Sequence, residues 1–197
     1  MIYLLHGQDE FRIRRRLKEI SRDNVDDDLS SFSFYADQTP LSKIINEFSV
    51  VSIFSEKKLV TVNGLAKNRS KSDQDLLLKA LSEKNVPALT IIFWENDLLP
   101  THNWLFKLVQ SLGRIESFPN LKPGEIRDWI KKEVVARGGE IDYQTTDLIF
   151  NKLGRDLNLI SNELDKLLLF DNKVIKENVN ELIGDDFYEN IFSLMEA

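Results

Sequence analysis

The sequence predicts an α/β fold: a parallel sheet covered by helices on both faces, followed by a small all-α helical domain. Three observations predict it. Residues 1–119 alternate strand and helix patterns five times. After Pro119 no further strand pattern is found, only helical periodicity. The run Leu89 to Trp94 is strongly apolar, as a central strand buried on both faces must be.

The elements follow in order. Ile2 to His6 is a short apolar run closed by Gly7, which reads as a buried strand. Asp9 is placed to cap the next helix, where Ile13, Leu17 and Ile20 keep helical spacing. An acidic loop with Asp23, Asp26, Asp27 and Asp28 leads to Ser31–Tyr35, which alternates polar and aromatic residues as a half-buried strand does. Pro40 opens a helix at its first turn, with Leu41, Ile44, Ile45 and Phe48 as one apolar stripe. Lys57 to Val62 is the third strand, ended by Asn63-Gly64. A helix over 76–81 precedes the fourth strand, and Leu105, Leu108, Val109 and Leu112 mark another before the fifth strand at 114–118. In the second part, Pro123 starts a helix that Gly138-Gly139 ends. Asp142 or Thr145 caps the next, Leu157 to Leu168 carries a further stripe, and residues 175–183 form a fourth helix. The domains expected are therefore 1–119 and 120–186, with 187–197 beginning one more helix.

Composition narrows the function. With 42% apolar and 29% charged residues in 197, the chain is of ordinary globular make-up and long enough to bury roughly 70% of its unfolded surface. It has no Cys, which excludes disulfides, a thiolate nucleophile and Cys-ligated zinc and fits a reducing cytosol. No apolar run approaches a membrane span, and no basic region precedes the apolar start as in a signal peptide. The net charge of −6 is uneven: residues 1–120 hold 16 basic and 16 acidic side chains, leaving 10 and 16 for the rest. Neither part has the charge of a strongly basic nucleic-acid binder.

The first strand–Gly–helix unit is where a phosphate-binding loop would sit. Such a loop needs a second Gly, a Lys and a hydroxyl at fixed spacing. Here His6-Gly7-Gln8-Asp9-Glu10-Phe11-Arg12 supplies none of them, and two carboxylates would repel phosphate. Glu95 and Asp97 follow the fourth strand, where a magnesium-organising acid would lie, but solvation of the strand end and capping of the next helix explain them more simply. His6 and His102 are the only histidines, which excludes a multi-histidine metal site; His6 reads as structural. Arg12, Arg14, Arg15 and Arg16 with Lys18 form a basic helix, a candidate contact for DNA or a neighbouring subunit, although such a run is more often a solvated face. Val51, Ile53 and Phe54 follow a complete amphipathic helix. They fit two readings, an apolar plug for a partner's pocket or a cap on the domain's own core.

These segments together resemble a known family. Tyr3-Leu4-Leu5-His6-Gly7-Gln8-Asp9-Glu10-Phe11 is similar to the opening of the delta subunit of bacterial DNA polymerase III, a sliding-clamp loader. Ser52 to Val60 resembles that family's clamp-contact segment and following strand. Leu121 to Ile130, Gly154-Arg155-Asp156-Leu157 and Glu163-Leu164-Asp165-Lys166-Leu167 resemble further family motifs in the right order, and Ile191 to Ala197 resembles the lead into its last domain.

The resemblance implies an AAA+ module without a functional phosphate loop. It implies a wrench subunit that opens the clamp for loading onto primed DNA, with no ATP hydrolysis, no catalytic site and no cofactor of its own. Val51, Ile53 and Phe54 would contact the clamp, and the family often carries Leu where this chain has Ile53. The implied partners are the clamp, other loader subunits and DNA within the assembled loader, in the cytoplasm and away from membranes. A third, collar domain that carries most subunit assembly would follow residues 187–197, so the chain is expected to be an amino-terminal or truncated form. One rival reading is a divergent P-loop-like nucleotide-binding enzyme. Another, the delta-prime type of loader subunit, is distinguished by Cys motifs that this chain lacks.

Overall fold

β1 spans Ile2–His6 and is buried at every position, so both of its faces are covered. The computed structural model in which it is seen describes residues 1–24, 30–50, 57–67, 69–82 and 88–184. The chain divides into two units, Met1–Asn120 and Leu121–Ala197.

In the first unit, β1 is followed by α1 (Glu10–Asn24), β2 (Ser31–Tyr35), α2 (Leu41–Ser49), β3 (Lys58–Asn63), α3 (Lys71–Ser82), β4 (Leu89–Glu95), α4 (Trp104–Leu112) and β5 (Arg114–Ser117). The strands pair in parallel in the order β2-β3-β4-β1-β5, which places the apolar β4 at the centre. Side chains of β1 alternate between two cores. Ile2 and Leu4 join Ile44 and Phe48 of α2, Leu77 of α3 and Leu105 of α4. Tyr3 and Leu5 join Ile13 and Ile20 of α1. Three helices thus cover one face and α1 the other, and β2 leaves Ser31, Ser33 and Tyr35 exposed. This asymmetry explains why β2 alternates in sequence while β1 and β4 do not.

Local signals set the element ends. Asn103 caps α4 by accepting from the amides of Leu105 and Phe106. Pro40 stands one residue before α2, at the cap position rather than within the first turn, and its carbonyl accepts from Lys43 and Ile44.

The second unit holds α5 (Pro123–Ala136), β6 (Glu140–Ile141), α6 (Tyr143–Leu153), α7 (Leu157–Phe170), β7 (Lys173–Val174) and α8 (Lys176–Leu182). Its core includes Ile126, Ile130, Ile149, Ile160, Leu164 and Val179, all essentially inaccessible. Asp142, rather than Thr145, caps α6, and Asp156 caps α7. Arg137 ties α5 to α7 through Glu133, the Ser161 carbonyl and hydroxyl, and Asp165. β6 and β7 pair in parallel over two residues each, a ladder too short to leave a period in the sequence. The helix start expected over 187–197 lies outside the described residues.

Candidate functional site

The turn between β1 and α1 occupies the phosphate-loop position, and the chain fills it with its own groups. Gly7 has φ +147°, and a Cβ there would lie 2.0 Å from the Phe118 carbonyl oxygen. The Gly7 amide donates to the Glu95 carbonyl at 3.1 Å and the Asp9 amide to the Phe118 carbonyl at 3.0 Å. At the amino end of α1, where free N–H groups would meet a phosphate, the Asp9 carboxylate accepts from the Arg12 amide at 3.0 Å. Its other oxygen accepts from Arg12 Nε at 2.6 Å. Arg12 also donates to the Pro119 carbonyl and lies 5.7 Å from the centre of the Phe118 ring. A built-in anion thus neutralises the helix end that a nucleotide would need.

The carboxylate that ends β4 behaves differently from its sequence expectation. Glu95 is not solvated; it is buried, and its Oε1 accepts from the Ala66 amide at 2.7 Å in the turn after β3. Burial pushes its pKa above the usual carboxylate value, against the smaller effect of backbone hydrogen bonds from Ala66 and Leu65. It therefore braces the β3 turn instead of capping the next helix. His6 is structural, as expected. Its Nδ1 accepts from the Leu99 amide at 3.0 Å, its ring meets Phe106 edge-on, and burial lowers its pKa. Among the described residues no group of three or more His, Asp or Glu is arranged to hold a metal.

Arg12, Arg14, Arg15 and Arg16 are each engaged within the chain. Besides Arg12, Arg14 pairs with Glu10 and Arg15 with Glu19, along the helix. Arg16 forms a two-pronged pair with Glu116 of β5, at 2.8 and 2.9 Å, and reaches Glu19 at 3.2 Å. The Glu116 hydrogen bond raises its already high pKa. All four arginines of the run are thus paired with carboxylates of the chain itself.

Val51, Ile53 and Phe54 lie outside the described residues, but both flanks are described. Before them, α2 ends at Ser49 and Val50 stands at its C-cap. After them, β3 begins at Lys58, whose side chain is 2% exposed. Lys58 Nζ donates to Glu47 Oε2 and to the Val50 carbonyl, both at 2.8 Å, and lies 4.8 Å from the Phe32 ring centre. The sequence hid this residue inside a polar stretch, because its neighbour Lys57 gives no sign of which lysine turns inward.

A cleft of about 320 Å³ opens between α1 and the ends of β2, β3 and β4, beside Lys18, Ser33, Tyr35, Thr61, Asn63 and Trp94. Its polar lining is hydroxyls, an amide and one ammonium.

Residues 3–116 match the family model for DNA polymerase III, delta subunit. No curated protein matches the chain. Among solved structures it is similar to one titled Bacillus subtilis DNA clamp loader delta protein, with a TM-score of 0.80, 18% identity, and cover of 99% of this chain and 61% of that one. It is also similar to the Thermotoga maritima RuvB Holliday junction branch migration motor, with a TM-score of 0.53, 11% identity, and cover of 93% and 63%. The chain therefore spans about three fifths of the length of these two proteins. Likeness at such identities shows the fold alone, a five-stranded parallel sheet unit with helices, followed by a helical unit.

Proposed function

The chain belongs to the DNA polymerase III delta-subunit family, and from that premise we propose that it binds the sliding clamp and opens it for loading onto primed DNA, without hydrolysing ATP itself. The observation that carries this reading is the family match over residues 3–116, which includes the segment holding Val51, Ile53 and Phe54. The self-filled turn at Gly7 and Asp9 supports the non-hydrolysing part, and it speaks against a divergent nucleotide-binding enzyme.

The mechanism needs no covalent step. A clamp ring closes through many weak contacts, and a subunit that binds the open ring better shifts the equilibrium toward it by its differential affinity alone. Adjacent Ile and Phe side chains are suited to this, since burial of each contributes about 1.5–3 kcal/mol. Further partners in this reading are the other loader subunits, met mainly through a third domain, and DNA inside the assembled loader, where the α1 arginines 12, 14, 15 and 16 are the candidate contacts. The reading places the protein in the cytoplasm; among the described residues no helix is long and apolar enough to cross a membrane. Titration of the clamp against the wild-type chain and an Ile53→Ser, Phe54→Ser variant, without ATP, tests the proposal.

A further inference from the structure

We propose that the outer edge of β2 is a docking site for an extended, acidic peptide segment of a partner protein, which adds to the sheet as a further strand. The site lies within the first unit and is independent of the clamp-binding reading. The strand order puts β2 and β5 at the two edges of the sheet. An open edge is a row of unpaired amides and carbonyls, which proteins guard with charge, Pro or a bulge. β5 is guarded, since Arg114 and Glu116 alternate along it. β2, Ser-Phe-Ser-Phe-Tyr, has no charge and no Pro, and it keeps regular register with β3 from Ser31 to Tyr35.

Backbone parity decides which groups this edge offers. The Ala36 amide donates to the Asn63 carbonyl, and the bonding residues of a strand alternate along a parallel ladder. Phe32 and Phe34 therefore turn their amides and carbonyls to β3, while Ser31, Ser33 and Tyr35 turn theirs outward. The Tyr35 carbonyl is taken by the Gln38 and Thr39 amides. That leaves the amides of Ser33 and Tyr35 and the carbonyls of Ser31 and Ser33, which pair with nothing among the described residues. Ser31, Ser33 and Tyr35 are all exposed. An added strand satisfies these groups, and such main-chain pairing supplies affinity whatever the partner's side chains.

The side chains supply the preference. Ser31, Ser33 and Tyr35 share one face of the sheet and line the cleft beside α1. Among the described residues Lys18 is the one charged group lining that cleft. Arg14 and Arg22 lie one helical turn to either side of Lys18, on the same face of α1. Alternate side chains of an incoming strand thus meet a cation and hydroxyls, which suits Glu or Asp. The intervening ones extend the opposite face, where Phe32 and Phe34 pack against the core, and there apolar residues fit. A second copy of the chain fits less well. Its β2 brings no carboxylate to Lys18, and each copy carries a net charge of −6.

The test titrates a short synthetic peptide of alternating Glu and Val into the 197-residue chain, with amide exchange read residue by residue by NMR. In the free chain the Ser33 and Tyr35 amides should exchange fast and those of Phe32 and Phe34 slowly. Peptide should slow Ser33 and Tyr35 at least about tenfold. Lys18→Glu, which reverses the charge in the cleft, should weaken binding about tenfold. Ser33→Pro removes an outward amide at an edge, where Pro is tolerated, and should weaken it at least as much. A fully N-methylated peptide has no donors and should not bind; it decides the matter if Ser33→Pro does not fold. Saturable binding that protects Ser33 and Tyr35 supports the proposal. No binding, equal binding of the N-methylated peptide, or binding that leaves both amides fast overturns it. Equal affinity for an alternating Lys and Val peptide overturns the acidic preference. Protection of both amides that rises with protein concentration alone overturns it in favour of a second copy. Binding of oligo-dT but not of the peptide overturns it in favour of single-stranded DNA.

Discussion

Gly7 shows how much one residue can carry. A methyl group there would collide with the Phe118 carbonyl, on backbone rather than on a side chain that can swing away, and φ +147° is strained for any L side chain. Gly7→Ala should therefore destabilise the first unit by about 2–4 kcal/mol in urea unfolding; a neutral result would contradict the described packing. Glu95 makes a prediction of opposite character. Its folded-state pKa is raised by burial, so the folded chain holds a proton more tightly than the unfolded one. That contribution to stability is complete below the ordinary carboxylate value and is lost as pH rises through the raised one. Glu95→Gln keeps an oxygen for the Ala66 amide and removes the titration. The variant should gain stability relative to wild type as pH rises above the ordinary Glu range, and the gain should vanish in acid. Parallel denaturation curves across pH check this, and a difference independent of pH would refute it. Asp9 was legible as a cap from its place before a helical stripe. The burial of Glu95 was not, because its partner amide comes from a turn 29 residues earlier in the chain.

At the scale of elements, α1 is held by both its faces. Ile13 and Ile20 pack beneath it, and Arg16 ties it to β5 through Glu116. Both partners of that pair are about one third exposed, so solvent screens it. Arg16→Met should cost about 1 kcal/mol, and the loss should shrink at high salt; a loss of several kcal/mol would mean that the pair is more deeply shielded than its exposure indicates. The strands and amphipathic helices were readable because burial writes a period into the sequence: two for β2, none for the doubly covered β1 and β4, and about 3.6 for α2. The two-residue β6–β7 ladder writes no period, and one buried lysine beside a half-buried one writes none either. Lys58 is for that reason the feature that most needed the structure.

The molecule as a whole is a five-stranded parallel sheet unit followed by a helical unit. Family membership rests on residues 3–116, and the segments quoted from the sequence carried the same identification because their order and spacing run the length of the chain. The basic helix was less transparent, since the carboxylates that pair with its arginines include Glu116, 100 residues away. The central claim is that adjacent apolar residues at 53 and 54 grip the clamp without nucleotide. The most direct measurement is calorimetric titration of the clamp into the wild-type chain and into the Ile53→Ser, Phe54→Ser variant, in the absence of ATP. The account predicts saturable wild-type binding and at least about a hundredfold loss in the variant, the scale of two anchor residues removed together. Equal affinity for both chains, or no wild-type binding to a clamp shown to be active, would contradict it.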